Sequence, residues 1–263
     1  MDDKQAGQYW NESAATWALL ARAGFDVYRD HLNTPAFFKM LPGIAGLCGI
    51  DIGCGEGYNT RLLARVGATI EAIDISEVFI AKAIEENTAT PLKINYTVGS
   101  ALNLPYNDNC FDFATSFMCM MDIPNVEGAL KEAFRVIKPG GFLQFSITHP
   151  CFDTAYRKNL RDASGKTYAI AIGEYFKEVK GNIEEWIFGD TPAELKNSLP
   201  KFRLPRFTRT LTQWISFITG AGFIIEKINE PQPGDEIVSQ YPTLQDAQVV
   251  SYFLHIRAGK GHK

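Results

Sequence analysis

The densest chemistry in this 263-residue chain lies in Asp51-Ile52-Gly53-Cys54-Gly55-Glu56-Gly57. An apolar run, Leu47 to Ile52, precedes it and reads as a buried strand; Tyr58 to Val66 follows and reads as a helix. Glycines at such a strand–turn–helix junction let the backbone reverse sharply and let a ligand approach where a Cβ would block it. Their amides and the helix N-terminus form a polar, electropositive lip. The spacing is G-x-G-x-G, and the third glycine of the dinucleotide pattern G-x-G-x-x-G is replaced by Tyr58. Asp51 stands two residues before the first glycine. A carboxylate there suits an ammonium or sulfonium group, directly or through water, better than a diphosphate.

A second carboxylate, Asp74, ends the apolar run that starts at Ala68, seventeen residues beyond Gly57. At a strand tip it can accept both hydroxyls of a ribose. Ser76 is the better N-cap for the next helix, which leaves Asp74 for a ligand. His149, in Thr148-His149-Pro150-Cys151, is the candidate general base, because the carboxyl end of a strand points into the cleft of an open α/β sheet. A hydrogen-bonding turn histidine would look the same. The neighbouring Cys151 raises a covalent alternative, cysteine addition to a pyrimidine, against the simpler reading of an ordinary buried thiol.

These residues need a scaffold, and the chain alternates strand and helix to provide one. Ala68 to Ile73, Lys93 to Val98, Phe111 to Phe117 and Phe142 to Thr148 read as further strands. Glu77 to Asn87 has helical composition. Val126, Leu130, Ala133, Phe134 and Ile137 share one helical face, and Pro139-Gly140-Gly141 is the stop signal after it. Alternation of this kind implies parallel strands with right-handed crossovers, helices on both faces, and ligands at the carboxyl edge. The rhythm lapses over 150–208 and resumes with a helix over Thr210 to Gly220 and strands over Phe223 to Ile228 and Gln248 to Ile256. The expected organisation is one domain. Residues 1–40 form an N-terminal helical cap, 41–149 and 209–263 the Rossmann-like α/β core, and 150–208 a substrate-lid insertion. The aromatic-rich first forty residues either pack on the sheet or cover the cofactor.

With these motifs in this order, the sequence resembles the class I S-adenosylmethionine-dependent methyltransferases of the small-molecule type, over about 45–149 and again over 209–257. The resemblance implies a seven-stranded sheet in the order 3-2-1-4-5-7-6 with the seventh strand antiparallel. It places Asp51, Gly53, Cys54, Gly55 and Gly57 in the cofactor loop and Asp74 on the ribose. Ile75 packs on the adenine, Ser100, Ala101 and Leu102 form the adenine segment, and Phe117 and Met118 lie under the methionine portion. The family often has Asp where this chain has Ser100; a hydroxyl accepts the adenine amino proton more weakly than a carboxylate. Arg209 matches a segment that in similar proteins reads aromatic-His-Arg; here it is Phe207-Thr208-Arg209. The reaction implied is in-line methyl transfer from S-adenosylmethionine to a small-molecule acceptor, leaving S-adenosylhomocysteine, with no metal.

Tyr175, Arg206 and Arg209 are the candidate substrate-binding residues. Residues 151–210 hold eleven Lys or Arg against eight Asp or Glu, in a chain of net charge −4. That local excess favours an anionic or polar acceptor. The overall charge argues against a general nucleic-acid binder. Five cysteines without a CxxC pair argue against a disulfide framework or a zinc site and for a reducing cytoplasm. No apolar run approaches the ~18–20 residues that span a bilayer, so a soluble chain is expected. The alternatives are a non-catalytic binder of the same cofactor, a nucleic-acid methyltransferase, or a nicotinamide-dependent oxidoreductase, the last opposed by the glycine spacing and Asp51.

Overall fold

The computed structural model describes residues 1–262. Seven strands form one mixed sheet: β1 (Cys48–Ile52), β2 (Thr69–Asp74), β3 (Ile94–Val98), β4 (Phe111–Phe117), β5 (Ile137–Thr148), β10 (Ile224–Asn229) and β11 (Phe253–Gly259). Their order is β3-β2-β1-β4-β5-β11-β10. The first five are parallel, and β11 runs antiparallel to both β5 and β10. This is the Rossmann-like topology expected from the resemblance.

Period-two alternation explains how each strand meets two helical layers. Ile50 and Ile52 of β1 join Leu130 of α5 (Val126–Val136) and Trp214 and Ile218 of α7 (Leu211–Gly220) in the larger core. Phe113 of β4 and Ile70 of β2 pack with Leu63 of α3 (Tyr58–Arg65) on the other face. β4 reaches β1 closely because Gly49 has no side chain there: a Cβ would lie 2.3 Å from Cζ of Phe113.

Two boundaries differ from the expected ones. The fifth strand begins at Ile137, before Pro139, because Ile137 already pairs with Phe111 across a register shift. Thus α5 ends at Val136, short of the proline signal. The last strand begins at Phe253, not Gln248. Residues Pro242–Gln248 form a 3-10 helix, and the Gln248 side chain donates to Asp235 Oδ1 at 2.9 Å. The apolar pair Val249-Val250 imitates a strand in sequence without a neighbour to pair with.

Residues 150–208 fold as two antiparallel hairpins. The first joins β6 (Tyr156–Arg161) to β7 (Thr167–Gly173), and the second joins β8 (Lys180–Trp186) to β9 (Phe202–Phe207). Between β8 and β9 lies the short α6 (Ala193–Ser198). The N-terminal helix α1 (Asp3–Arg22) packs on β9 and on α4 (Glu77–Ala89). Its Trp17 meets Phe188 and Phe202 with ring centroids 4.8 Å apart, so α1 and the second hairpin share a small aromatic core of their own. Helix α2 (Thr34–Met40) goes to the sheet instead: Phe37 is buried, and its carbonyl accepts from Gln144 Nε2 at 2.8 Å. Among the described residues, no helix is long and apolar enough to cross a membrane.

Gly49→Ala drives a methyl group into the Phe113 ring. The expected outcome is a loss of about 1–3 kcal/mol, read as a lower midpoint in thermal unfolding.

Candidate active site

The turn after β1 is welded to the end of β2. The amides of Gly53 and Cys54 donate to the Ile73 carbonyl at 2.8 and 3.1 Å, and the Gly57 amide donates to the Cys54 carbonyl. The Gly55 amide donates to Asp74 Oδ2 at 2.8 Å, and Ser76 N donates to Asp74 Oδ1 at 2.9 Å. Gly53 has φ +73° and Gly57 φ +83°, the left-handed region that favours glycine. A Cβ on Gly53 would lie 2.1 Å from Cys119 Sγ. Four turn amides are thus satisfied internally, which leaves few to cradle a diphosphate. The electropositive lip expected from sequence is therefore much reduced, and the corner presents a carboxylate instead.

A cavity of about 530 Å³ opens at this corner. It is lined by Gly53, Cys54, Gly55, Asp74, Ile75, Ala101, Phe117 and Met118 of the expected cofactor residues. Met118 holds φ +52°, a sparsely populated conformation for a side chain of its size. Ser76 caps α4 by accepting from Phe79 N, as expected. Asp74 nonetheless already holds two backbone amides, so it meets a ligand with its remaining lone pairs.

Four expected cofactor residues do not line the cavity. Asp51 is buried behind the turn, where its oxygens accept from Thr60 Oγ1 at 2.6 Å and Thr115 Oγ1 at 2.8 Å. Direct contact with a cation is corrected to a role in holding β1, β4 and α3 together. Gly57 is the N-cap of α3, and a Cβ there would strike Tyr96 Oη. Ser100 has its hydroxyl engaged: it donates to the Asp3 carboxylate and accepts from Leu102 N at 3.0 Å. Leu102 packs against the main core.

The candidate base is also corrected. His149 is buried, its Nδ1 accepts from the Cys151 amide at 3.2 Å, and its Nε2 lies 2.6 Å from Glu230 Oε1. That pattern puts the ring proton on Nε2 and leaves neither nitrogen facing the cavity. Thr148 lines the cavity, but His149 does not, because side chains alternate along an extended backbone. Cys151 also lies outside, with its thiol 4.0 Å from Tyr175 Oη. Tyr175 Oη accepts from Leu211 N at 2.8 Å and does not reach the cavity. Arg209 turns away too. It donates to the carbonyls of Met121, Ile123 and Pro124. Burial pulls its pKa down to about 10. It holds the loop after β4 and does not line the cavity. Arg206 does line the cavity, bound to Asp153 Oδ1 and Glu184 Oε1, each at 2.8 Å.

Sequence reasoning found Asp74 among the cavity's acids and missed the others. Seven carboxylates line the cavity, from Asp3, Asp26, Glu56, Asp74, Asp122, Asp153 and Glu184, against two guanidiniums, Arg29 and Arg206. Glu56 pairs with Arg61 at 3.0 Å, and Arg29 sits beside Asp26 and Asp30. The basic excess of residues 151–210 stays outside: of its Lys and Arg, only Arg206 lines the cavity. The charge balance along 151–210 is therefore not the one that the cavity presents. Asp122, in the 3-10 turn Met120–Asp122, stands out. Burial pushes its pKa up to about 8; Arg209 opposes the rise and Asp153 adds to it. Burial also raises Asp74 and Asp26 to about 6. No spacing rule marks Asp122, because only the turn after β4 brings it to the cavity.

A methyltransferase-domain family profile matches residues 50–145. A crystallised S-adenosylmethionine-dependent methyltransferase from Mesorhizobium loti superposes with a TM-score of 0.68 at 26% identity, covering 85% of this chain and 95% of that one. Residues 50–145 thus match a methyltransferase domain, and the chain as a whole is similar in fold to S-adenosylmethionine-dependent methyltransferases. The demethylmenaquinone methyltransferase of Tropheryma whipplei is 33% identical over 157 residues, 56% of this chain and 63% of that protein. The malonyl-[acyl-carrier protein] O-methyltransferase of Pectobacterium atrosepticum is 29% identical over 140 residues, 52% of this chain and 54% of that protein. The chain thus spans between half and two thirds of the length of the curated relatives it matches.

The raised pKa of Asp122 has a signed consequence for stability. Between about pH 8 and the unfolded value of 3.8, the native chain holds a proton there that the unfolded chain releases. Stability therefore rises as pH falls from 8.5 to 6.5. Below 6.5 buried His255, with a pKa pulled down to about 4, acts in the opposite sense. Asp122→Asn should flatten the upper window by about 2 kcal/mol, or about 4–8 °C. Melting curves of both proteins at the two pH values check it; equal slopes would remove the assignment.

Proposed function

We propose that this chain transfers the methyl group of S-adenosylmethionine to a small acceptor bound between the turn after β4 and the second hairpin. One observation carries the reading: a single cavity joins the Gly55–Asp74 corner, Phe117 and Met118 to Asp122 and the hairpin residue Arg206. The carboxylate at the corner and the internally satisfied turn amides fit a sulfonium nucleoside and disfavour a diphosphate. When bound, the cofactor supplies a methyl group already activated on a sulfonium sulfur.

The chain's own task is to align an acceptor and exclude water. Asp74 holds the ribose side of the site, and Ile75 and Ala101 flank the base. Phe117 and Met118 floor the passage to the acceptor. Asp122 is the proton acceptor for an acceptor atom that must lose a proton. At neutral pH burial keeps Asp122 protonated. A cation brought alongside favours the carboxylate form, so the base becomes competent when the site is loaded. Arg209 is a positioning residue that fixes the carbonyls on both sides of Asp122. The acid excess supports a neutral or cationic acceptor over an anionic one. The relatives' names, a demethylmenaquinone methyltransferase and a malonyl-[acyl-carrier protein] O-methyltransferase, point to dissimilar acceptors. The walls of this cavity, more than kinship, therefore define the acceptor.

Calorimetric titration should show binding of S-adenosylmethionine and none of NAD, and Asp74→Ala should weaken that binding about 10-fold or more. Preference for NAD would sink the reading. Incubation with a deproteinised metabolite extract should release S-adenosylhomocysteine. Absence of release with binding intact would leave a non-catalytic binder. Asp122→Asn should lower kcat about 100-fold with cofactor Kd nearly unchanged, and should remove the limb of the pH profile belonging to the base. An unchanged kcat would return Asp122 to a purely structural role.

A further inference from the structure

The first turn of α1 brings a carboxylate to the end of the cavity where the nucleoside base belongs. Gly99 N donates to the Asp74 carbonyl at 2.9 Å, so residues 99–101 extend directly from the ribose corner. Gly99, Ala101, Ile75 and Asp3 line the same cavity. Between Gly99 and Ala101, the Ser100 hydroxyl donates to Asp3 Oδ2. That bond aims the Asp3 carboxylate, while its other oxygen receives no donor from the described residues.

Asp3 complements the α1 dipole from the first turn, but the helix cap does not depend on it. The helix cap is made by Asp2, whose Oδ1 accepts from Gln5 N at 2.8 Å while Gln5 Oε1 accepts from Asp2 N at 2.9 Å. The seat of α1 on the site is fixed further along. Asn11 Oδ1 accepts from Ser76 Oγ at 2.8 Å and from Val78 N at 3.1 Å. Gly7 lies against Ile75, where a Cβ would come within 2.8 Å of Cδ1. The helix is therefore docked on the two residues that follow Asp74, independently of Asp3.

We propose that Asp3 reads the base of the cofactor, its carboxylate accepting a hydrogen bond from the exocyclic amino group of adenine, with Ser100 as the positioning residue that aims it. This rests on the reading of the cavity as a sulfonium-nucleoside site. A carboxylate has acceptors only, so it favours the amino group of adenine and repels the carbonyl oxygen that hypoxanthine carries at the same position. The base-reading group thus comes from the N-terminal helix, and the segment after β3 supplies a hydroxyl to aim it.

The test compares S-adenosylhomocysteine with S-inosylhomocysteine by calorimetric titration. Wild type should favour the adenosyl compound about 10- to 100-fold, the range for a hydrogen bond to a charged group. Asp3→Asn should bring the ratio close to one or invert it, since a carboxamide can donate to the hypoxanthine oxygen. The change is isosteric and spares the cap, and a matching melting curve confirms the fold. Ser100→Ala keeps the carboxylate but loosens its aim, so it should narrow the ratio less than Asp3→Asn does. A wild-type ratio near one, or an Asp3→Asn ratio equal to wild type, overturns the proposal. Wild type binding neither compound overturns the sulfonium-nucleoside reading itself, a result distinct from binding without discrimination.

Discussion

The hydrogen bond from the Gly55 amide to Asp74 Oδ2 joins the β1 turn to the tip of β2, and the rest of the site is hung from that corner. It needs a turn tight enough to bring an amide back over the neighbouring strand, hence the left-handed glycines at 53 and 57. It needs β1 and β2 in register, which the pairing of Ile52 with Ile73 supplies. It also sets the chemistry of the corner. A half-buried carboxylate held by two amides presents negative potential to the cavity, and the same amides are withdrawn from any anionic ligand. Asp51, one strand away, holds Thr60 and Thr115 and keeps α3 and β4 against β1.

The roof is built differently from the floor. The floor is a sheet whose alternating side chains fix every neighbour. The roof is α1 and a hairpin that share the aromatic cluster around Trp17, Phe188 and Phe202. Its polar groups point down as acids, with the one cavity-lining arginine of the hairpins clasped between Asp153 and Glu184. The charge of a segment and the charge it shows a ligand are therefore separate quantities. The insertion is basic along the chain and acidic toward the cavity.

Much of the floor was legible because its signals are local. The glycine spacing, the strand-ending Asp74 and the N-cap at Ser76 each depend on a few consecutive residues, and each lies where its pattern puts it. Boundaries failed where pairing overrode a local stop, as at Ile137, or where an apolar pair had no partner strand, as at Val249-Val250. The side-chain assignments outside the sheet fared worst. His149, Tyr175 and Arg209 sit next to the site in sequence, yet their polar atoms are taken by Glu230 and Cys151, by Leu211, and by three loop carbonyls.

By itself the sequence determined the parallel core, the order of its elements and the glycine turn beside Asp74, because hydrophobic period and glycine geometry act over one or two turns of chain. Only the tertiary structure decided which acids face the cavity. Asp3 meets Ser100 across 97 residues, and Asp122 is fixed by an arginine on the far side of the insertion. Burial, which raises the Asp122 pKa, is a property of what surrounds a residue in space, and no spacing along the chain encodes it.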